Sequence, residues 1–345
     1  MKILHVIFTL KTGGLENLLL DIANEQANLG HEVGVLIVNS GSEPELLKRF
    51  DSRVRIMQTS RKAGSRNPFP IIRANFAAIS FHPDIIHVHN ENGVNILIPP
   101  LRKKVIHTVH TTGINLRGCQ ASTPVAAISE AVAEDLMSRC QVKSTVIMNG
   151  VKVGDISHRS YSDYLVKLVC VGRMDVAVKG QDLLIKALKE FPEMTLTLIG
   201  DGADLSAMKD LSVELGVDSR VEFLGALQRS EIYSRLADFD AFVLPSRQEG
   251  FGLVVAEAMA AGLPIISVDL PGPMEIIAGG RLGYSFAAGS VESLVEAIKA
   301  LRDEWPAAQK RALTEGIDFV NANFSVASTV TNYLKLYQSH RAVNK

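Results

Sequence analysis

Short runs of β-branched and other apolar residues alternate with helical segments along most of the chain, in two successive series. Strands without a clean polar alternation are buried on both faces, and helices between such strands favour a parallel sheet. The pattern therefore predicts an α/β fold with two doubly wound, Rossmann-like domains. The predicted strands are Ile3–Phe8, Val33–Val38, Val54–Met57, Ile85–His89, Val105–Val109 and Val125–Ile128, then Leu168–Gly172, Leu196–Gly200, Val221–Leu224, Ala241–Leu244 and Pro264–Val268.

A polar stretch between the two series marks the expected domain boundary. The length of 345 residues suits two domains of roughly 100–200 residues each. We predict an N-terminal domain over 1–152, a linker over 153–164, a second domain over 165–324, and a helix over 325–345 that crosses back to the N-terminal domain. Ligands of such sheets bind beyond the carboxyl ends of the strands, so a cleft between two facing domains is the expected site.

The charge of the whole chain is nearly balanced, with a formal net charge of −1, which gives no indication of nucleic-acid binding. Lys plus Arg minus Asp plus Glu gives 16 − 12 = +4 for residues 1–145 and 20 − 25 = −5 for residues 146–345. The positive half suits an anionic partner, and it suits an ordinary solvated surface about equally well.

Cysteine spacing and the length of the apolar runs predict a cytoplasmic protein. Cys119, Cys140 and Cys170 have no CxxC spacing, so we expect a reducing compartment and no disulfide framework. The opening segment MKILHVIF is predicted to be a first strand rather than a signal peptide, because two glycines and a helical segment follow it. No stretch approaches the roughly 20 uninterrupted apolar residues of a membrane span.

Two glycines follow the first predicted strand. In Gly13-Gly14-Leu15-Glu16 they would let a ligand approach the backbone, and the helix that starts there would favour an anion. The third glycine of a dinucleotide-binding turn is missing, and Asn39-Ser40 supplies no acid for a ribose. The residues alone leave both a ligand site at Gly14 and a plain tight turn open.

Two cations flank the loop after the first strand of the second series. Arg173 ends that strand, and Lys179 follows six residues later, before Gly180. The planar fork of an arginine and the point charge of a lysine together suit a diphosphate. Solvated side chains are the alternative, and the nearby glutamate motif favours the diphosphate.

Two glutamates eight positions apart enclose a Gly-Phe-Gly turn and an apolar run. A helix that starts near Gly252 would direct the amides of Gly252, Leu253 and Val254 at a phosphate. Glu249 would then lie outside the helix and Glu257 inside it. This order of acid, phosphate site and acid suits a nucleotide sugar, which has hydroxyls at both ends and phosphates between them. Two surface glutamates beside a core helix are the alternative.

Taken in order, these motifs resemble those of glycosyltransferase family 4, over essentially the full length of the chain. The resemblance implies the GT-B fold, with an acceptor-binding N-terminal domain that faces a domain for the nucleotide sugar. The matching elements are Gly-Gly-x-Glu at 13–16, Thr108-Val109-His110, Ser129-Glu130, Asn149-Gly150-Val151, GRMDVAVKG at 172–180, IGDG at 199–202, FLG at 223–225, and the pair Glu249 and Glu257.

The resemblance also implies roles for single residues. Glu249 would contact the hydroxyls of the donor sugar, and Glu257 would contact the ribose diol. Arg173 and Lys179 would hold the diphosphate, and His110 would lie near the reacting sugar.

The remaining implied contacts concern the nucleotide and the reaction. Gly14 would lie beneath the phosphates and the acceptor, and Gly225 and Leu227 would lie near the base. The implied reaction transfers a sugar from a nucleotide-sugar donor with retention of anomeric configuration and without a metal or another cofactor. A UDP-sugar is the expected donor among several nucleotide sugars. A glycan or a lipid-linked acceptor of surface polysaccharide or glycoconjugate biosynthesis is expected.

Two further motifs imitate metal sites. Asp238-Phe239-Asp240 has an Asp-x-Asp spacing, but it lies where a helix passes into a buried strand, which favours structural carboxylates. His87 and His89 lie on one side of a strand end, and we expect no third ligand nearby. We predict that no metal binds and that the two histidines form a polar floor beneath the acceptor.

The acceptor is expected on the N-terminal domain, around Gly14, His89 and His110. The basic clusters Arg61-Lys62 and Arg102-Lys103-Lys104 suit an anionic, lipid-linked acceptor and peripheral contact with the inner face of the membrane. Solvated basic residues on an ordinary surface are the alternative.

Three other functions remain open at this point. A sugar-nucleotide epimerase of the same fold would share the phosphate clamp. A non-catalytic protein that binds a sugar nucleotide would share the fold without needing both glutamates. A nicotinamide-dependent oxidoreductase is disfavoured by the absence of an acid at Asn39-Ser40.

Overall fold

The computed structural model describes residues 1–11, 13–118 and 123–343. Cys119 lies outside these residues, and Cys140 and Cys170 are free thiols. Within the described part of the chain, none of the helices combines the length and the apolar composition that crossing a membrane requires.

Contacts divide the chain into two compact units. The first unit combines Met1–Gly150 with Val326–Lys345, and the second is Val151–Ser325. Each unit contains its own parallel sheet. The acceptor and donor roles predicted for the two domains stay predictions.

The first unit is built on a seven-stranded parallel sheet with the order β3-β2-β1-β4-β5-β6-β7. The chain moves outward from β1 to β3 and then returns to the other side of β1, so the topological switch point lies between β1 and β4. The strands are β1 (Lys2–Ile7), β2 (Glu32–Asn39), β3 (Arg55–Arg61), β4 (Ile85–Val88), β5 (Val105–Val109), β6 (Val125–Ala127) and β7 (Ser144–Val146).

Helices cover this sheet through apolar stripes at helical spacing. The first helix buries Leu18, Leu19 and Ile22, which recur at helical spacing. The helices between the strands are α1 (Gly14–Asn28), α2 (Pro44–Lys48), α3 (Phe69–Phe81), α4 (Pro99–Arg102) and α5 (Glu130–Cys140).

The second unit repeats the design with a six-stranded parallel sheet in the order β10-β9-β8-β11-β12-β13, and its switch point lies between β8 and β11. Its strands are β8 (Lys167–Val171), β9 (Thr195–Ile199), β10 (Val221–Gly225), β11 (Ala241–Leu244), β12 (Ile265–Val268) and β13 (Tyr284–Phe286). Its helices are α6 (Val176–Lys179), α7 (Gln181–Ala187), α8 (Leu205–Glu214), α9 (Arg229–Arg235), α10 (Leu253–Ala260), α11 (Pro271–Ile276), α12 (Val291–Asp303), α13 (Trp305–Arg311) and α14 (Ile317–Asn323).

The last helix, α15 (Val326–Val343), belongs to the first unit. Its buried residues include Val326, Val330, Tyr333 and Tyr337, which recur every three or four positions and so share one face. They pack in one apolar cluster with residues of β1, α1 and β5, such as Ile3. The two tyrosines are fully buried, and their hydroxyls take part in the polar network described below.

All eleven predicted strands are present, and most of their bounds differ by one residue from the predicted ones. Strand β3 extends through the polar Gln58–Arg61, because it is the edge of its sheet and is half solvated. The sequence analysis missed β7 and β13. Both are three-residue edge strands, which are too short to produce a periodic signal.

Candidate functional site

Helix α10 begins at Leu253, and its N-cap Gly252 has a left-handed backbone with φ of 94°. A left-handed residue at this position favours glycine, because a side chain would be strained there. The first N–H groups of a helix have no acceptor within the helix, so those of Leu253 and Val254 are available to an anion. The expected helix start is confirmed, and phosphate binding there stays a prediction.

The acid before this helix contacts the lysine of the predicted diphosphate clamp. Lys179 Nζ donates a hydrogen bond to Glu249 Oε2 at 2.7 Å, and the side chains are only 26% and 14% exposed. Ser246 Oγ lies 3.5 Å from the same oxygen. Gly180, which follows Lys179, lies against the backbone of Pro245. Its φ is +65°, and a Cβ there would lie 2.2 Å from the carbonyl oxygen of Pro245, so this close packing of the two segments requires glycine.

Arg173 lies at the start of the same loop, and its side chain is largely exposed. It forms an ion pair with Asp175 at 3.1 Å. Arg247, which the sequence analysis missed, anchors the loop. Its guanidinium donates two hydrogen bonds to Asp182, at 2.7 and 3.0 Å, and one to the carbonyl oxygen of Val176. The short helix with Lys179 is therefore tied to the segment that contains Glu249.

Glu257, the second acid, contacts two residues that the sequence analysis also missed. The Tyr233 hydroxyl donates to Glu257 Oε1 at 2.8 Å, and Arg229 Nε lies 3.4 Å from that oxygen. Arg229 also donates to the Tyr233 hydroxyl at 2.6 Å. Burial, followed by the charge of Glu257, raises the pKa of Tyr233, so this hydroxyl remains a donor. The i, i+4 spacing of Arg229 and Tyr233 was the available sequence signal.

The predicted base-binding residues lie at the end of β10 and in the loop before α9. Gly225 ends β10 with a φ of 69°, and its carbonyl oxygen accepts a hydrogen bond from the Gly200 amide at 2.8 Å. Leu227 is half-buried two residues before Arg229. The structure thus connects this loop to Glu257 through Arg229.

In the first unit, a small pocket of 160 Å³ lies where β4 and β5 end. Its lining includes His89, His107, His110 and Leu15, and Leu15 directly follows Gly14 at the start of α1. His107 is 1% exposed, and neither of its ring nitrogens has a hydrogen-bond partner among the residues that the structure describes. A buried polar group without a partner is uncommon and suits a position that a ligand or a water completes.

A chain of hydrogen bonds leads from this pocket into the interior. His110 Nε2 lies 3.4 Å from His89 Nδ1, and His89 Nε2 lies 3.0 Å from His5 Nδ1. His5 Nε2 then lies 2.8 Å from the side-chain oxygen of Gln26. We call these four residues the histidine chain.

A second branch starts on the other side of Gln26. The Gln26 amide nitrogen donates toward the Tyr337 hydroxyl at 3.5 Å, and that hydroxyl lies 2.7 Å from His87 Nδ1. His87 Nε2 is 2.6 Å from Thr108 Oγ1, which is 3.1 Å from the Tyr333 hydroxyl. Helix α15 therefore contributes two hydroxyls to the polar interior of the first unit.

Burial keeps these imidazoles neutral. It lowers the pKa of His5 and of His107 to about 4. Burial, and then the charge of His107, lowers the pKa of His110 to about 3. The pKa values of His87 and His89 are lowered well below 6.5, first by burial and then by the other histidines.

The expectation that no third ligand lies near His87 and His89 is wrong. His5 is paired in register with His87 on the neighbouring strand, and one ligand atom from each of the three histidines lies within 4.8 Å of the others. All six of their ring nitrogens, however, already lie within hydrogen-bond distance of a side chain. A polar network accounts for the arrangement.

We expect the stability of the chain to fall as the pH is lowered from about 7 to 4. The pKa of His5 is lowered to about 4 in the folded state, from 6.5, so the unfolded chain binds this proton first. The stabilisation is complete above the unfolded pKa and is lost as the pH falls through this window. For His5 alone the loss amounts to roughly 3 kcal/mol.

Urea unfolding across this pH range measures the effect. The variant His107→Leu removes one buried imidazole of lowered pKa, so its stability should depend less steeply on pH. His158→Gln, which changes an exposed histidine of the second unit, is the control and should keep the wild-type slope. An unchanged slope in His107→Leu would contradict the prediction.

Asp240, part of the Asp-x-Asp spacing, is a structural carboxylate. One oxygen accepts hydrogen bonds from Ser162 at 2.8 Å and from Arg159 at 3.3 Å. The other oxygen accepts from the backbone amides of residues 166 and 167 at 2.9 and 2.8 Å. Asp238 is exposed. The interpretation of Asp240 as a structural residue at the strand start is confirmed.

Comparison with known families identifies the chain. A model of the group 1 glycosyl transferases matches residues 162–314, and a model of glycosyltransferase family 4 matches residues 12–154. The chain belongs to these glycosyltransferases. The two matches cover most of the chain, one over the greater part of each unit.

Relatives with known names extend this result. The glycogen synthase of Mycobacterium tuberculosis is 34% identical over 174 residues, which are 49% of this chain and 42% of that protein. The chain therefore spans less than half of that relative. The phosphatidyl-myo-inositol mannosyltransferase of Mycobacterium leprae is 25% identical over 84% of this chain and 83% of that protein.

Solved structures show the same fold. HepE of Anabaena, solved in complex with UDP-glucose, is 20% identical and superimposes with a TM-score of 0.80 over 98% of this chain and all of that one. The GT-B fold expected from the sequence is confirmed. The roles of individual site residues stay predictions.

Proposed function

We propose that this family member is a retaining glycosyltransferase that moves a sugar from a UDP-sugar to a glycan or lipid-linked acceptor, without a metal. The observation that carries the proposal is the contact between Lys179 and Glu249, at 2.7 Å, just before the N-terminus of α10. A cation for phosphate and a carboxylate for sugar hydroxyls are thereby held side by side.

The second acid completes the proposed donor site. Glu257 lies in the second turn of α10, about 6 Å along the axis from Leu253 at 1.5 Å per residue. Tyr233 and Arg229 contact one of its oxygens and orient the carboxylate toward a ribose diol. The amides at the start of the helix lie between the two acids, which suits the phosphates of a nucleotide sugar.

The pairing of Lys179 with Glu249 suggests what an arriving donor does. A diphosphate would compete for the ammonium group of Lys179 and release Glu249 to accept hydrogen bonds from sugar hydroxyls. As the bond to the leaving group breaks, Lys179, Arg173 and the amides of α10 would stabilise the charge that develops on the diphosphate. We propose attack from the same face, with the leaving phosphate accepting the proton of the acceptor.

We expect Arg173→Ala and Lys179→Ala each to slow transfer and to weaken UDP binding. Each variant removes a charge-assisted contact to the developing negative charge. The expected loss of transition-state stabilisation, measured through kcat/KM, is on the order of 2–4 kcal/mol. Steady-state kinetics and calorimetric titration with UDP measure the two effects. Lys299→Ala, which changes a lysine paired with the exposed Glu296 in α12, is the control. Unchanged kinetics in either Arg173→Ala or Lys179→Ala would show that the substituted residue is only a solvated surface side chain.

Donor binding and turnover together test the proposed function. A ligand that binds only the folded state raises the melting temperature, so UDP-, GDP- and ADP-sugars can be ranked by thermal shift. The best donor is then incubated with a panel of acceptors, and UDP release and product are measured. An isomerised donor in the absence of acceptor would favour the epimerase, and binding without turnover would favour the non-catalytic protein.

The acceptor side of the proposal includes contact with an anionic membrane. Helix α3 exposes Phe69, Ile72, Phe76 and Ile79, which lie on one face, and Phe69 and Phe76 are 69% and 70% exposed. A groove of 510 Å³ runs beside this stripe, and Ile98 lines it. Exposed apolar side chains on one helix face are typical of a surface that inserts into a lipid interface.

The segment that contains this stripe is basic, which fits anionic lipid. From residue 52 to residue 83 the chain has six basic residues and no acidic one; these are Arg53, Arg55, Arg61, Lys62, Arg66 and Arg73. Arg53 is paired with Asp51, just before this segment. Arg66 and Arg73 are exposed. Each basic residue near an anionic bilayer contributes about 1 kcal/mol to binding. We therefore propose the bilayer surface as the occupant of this face.

We expect the chain to sediment with phosphatidylglycerol vesicles at low salt, and to do so much less at high salt or with phosphatidylcholine. The double variant Phe69→Ser/Phe76→Ser should weaken binding at least about tenfold, because two aromatic side chains lose their apolar surroundings. Val213→Ser, which changes an exposed valine of the second unit, should bind as wild type. Failure to bind at low salt would contradict the proposal, and light scattering that shows a dimer lost in the double variant would assign the face to a second copy.

A further inference from the structure

Two of the three links of the histidine chain join one neutral ring nitrogen to another, and the third joins His5 to the side-chain oxygen of Gln26. A neutral imidazole has one protonated nitrogen, which donates, and one unprotonated nitrogen, which accepts. His5 and His89 use both nitrogens within the chain. A contact between two nitrogens is favourable only when one of them carries the proton. The tautomers of His5, His89 and His110 are therefore coupled, and the chain has only two consistent directions.

Gln26 selects between these directions. Its side-chain oxygen lies 2.8 Å from His5 Nε2, and an amide oxygen only accepts hydrogen bonds. His5 therefore has its proton on Nε2 and accepts at Nδ1 from His89 Nε2. By the same rule His89 accepts at Nδ1 from His110 Nε2.

The opposite end of the same Gln26 amide sets the direction of the second branch. Its nitrogen donates toward the Tyr337 hydroxyl at 3.5 Å, so that hydroxyl is left to donate to His87 Nδ1 at 2.7 Å. His87 then donates from Nε2 to Thr108. Both branches are satisfied by one orientation of the amide. Gln26 is itself fully buried, so water does not compete for its oxygen.

We infer that Gln26 is a positioning residue that acts through His5 and His89 to fix the tautomer of His110. In this tautomer, His110 has its proton on Nε2 and leaves Nδ1 as a hydrogen-bond acceptor. His110 lines the 160 Å³ pocket at the ends of β4 and β5. The pocket therefore favours a ligand that donates a hydrogen bond, such as a sugar hydroxyl. The identity of this ligand rests on the proposed function, whereas the tautomer does not.

Long-range ¹H–¹⁵N correlation spectra of the full chain, labelled with ¹⁵N-histidine, test the inference near neutral pH. These spectra separate protonated from unprotonated ring nitrogens, and His110→Gln assigns the His110 signals. We expect wild-type His110 to be protonated at Nε2 and unprotonated at Nδ1. In Gln26→Leu the chemical shifts of the two nitrogens should move to values between those of protonated and unprotonated nitrogen, because both directions of the histidine chain become populated.

Two further variants separate positioning from general disruption. Thr108→Val interrupts only the branch through His87 and should leave the His110 signals as in wild type. His5→Leu cuts the histidine chain one link beyond Gln26 and should reproduce the effect of Gln26→Leu. It therefore also serves as the test if Gln26→Leu does not fold. Wild-type His110 protonated at Nδ1, or unchanged signals in folded Gln26→Leu and His5→Leu, would overturn the inference. Stoichiometric zinc in the purified protein would also overturn the inference, since the metal would occupy ring nitrogens that the histidine chain uses for its hydrogen bonds.

An activity measurement distinguishes this inference from the proposed function. Once a donor and an acceptor are found, Gln26→Leu should lower kcat/KM about two- to tenfold, the range that corresponds to one hydrogen bond. Its affinity for UDP should stay unchanged, because His110 is proposed to meet a sugar hydroxyl, which UDP lacks. Absence of any turnover in the wild type would reject the proposed function and leave the tautomer result standing.

Discussion

Glu249→Gln should nearly abolish sugar transfer and leave the affinity for UDP within about tenfold of wild type, or roughly 1.4 kcal/mol. The proposed partners of Glu249 are hydroxyls of the donor sugar, which UDP lacks. The substitution keeps the size of the side chain but removes its charge, and with it the ion pair to Lys179 at 2.7 Å. Hydroxyls that must be held in the transition state would then lose their strongest acceptor.

The measurement compares kcat/KM for the best donor with the Kd of UDP from calorimetry. Glu296→Gln is a matched control, since it changes an exposed, lysine-paired glutamate of the same unit. A double-mutant cycle of Glu249→Gln with Lys179→Ala would measure the coupling of the two side chains. A loss of UDP affinity as large as the loss of turnover would show that Glu249 acts on the nucleotide instead.

Asp240→Asn should destabilise the second unit by about 3–5 kcal/mol, the usual cost of removing one partner of a buried ion pair. The carboxylate of Asp240 accepts four hydrogen bonds, and an amide in its place turns one acceptor into a donor. The guanidinium of Arg159, whose side chain is 2% exposed, would lose its counter-charge. It would remain beside the ring of Trp305 at 5.3 Å.

Trp305 makes this measurement direct, because it is the only tryptophan of the chain and lies in the second unit next to Arg159. Urea unfolding followed by its fluorescence should show the loss. Asp238→Asn changes an exposed carboxylate and should shift stability by less than about 0.5 kcal/mol. Transfer by the wild type should persist in EDTA. Activity that requires added Mn²⁺ and is lost in a folded Asp240→Asn variant would show that the pair binds a metal.

The sequence was sufficient to predict the fold and the segments in which the proposed site lies. Runs such as Val105–Val109 and Ala241–Leu244 are apolar throughout, because strands of a covered parallel sheet are buried on both faces. Parallel strands all end at one edge of their sheet, so motifs that follow strands are brought to the same edge. The Gly-Phe-Gly turn before an apolar run likewise predicted a helix start near Gly252, and the left-handed backbone found there is a conformation that favours glycine.

What only the tertiary structure decided is which side chains contact one another. Lys179 and Glu249 are 70 positions apart, and Gln26 and Tyr337 are 311 apart. No local periodicity links such residues, since their contacts depend on the strand order and on where α15 packs. The sequence showed His87 and His89 as a pair, whereas the pairing of β1 with β4 placed His5 beside them. Sequence patterns record the burial of each residue along its own helix or strand, whereas a polar network depends on the distances between elements, which arise only when the sheet has formed.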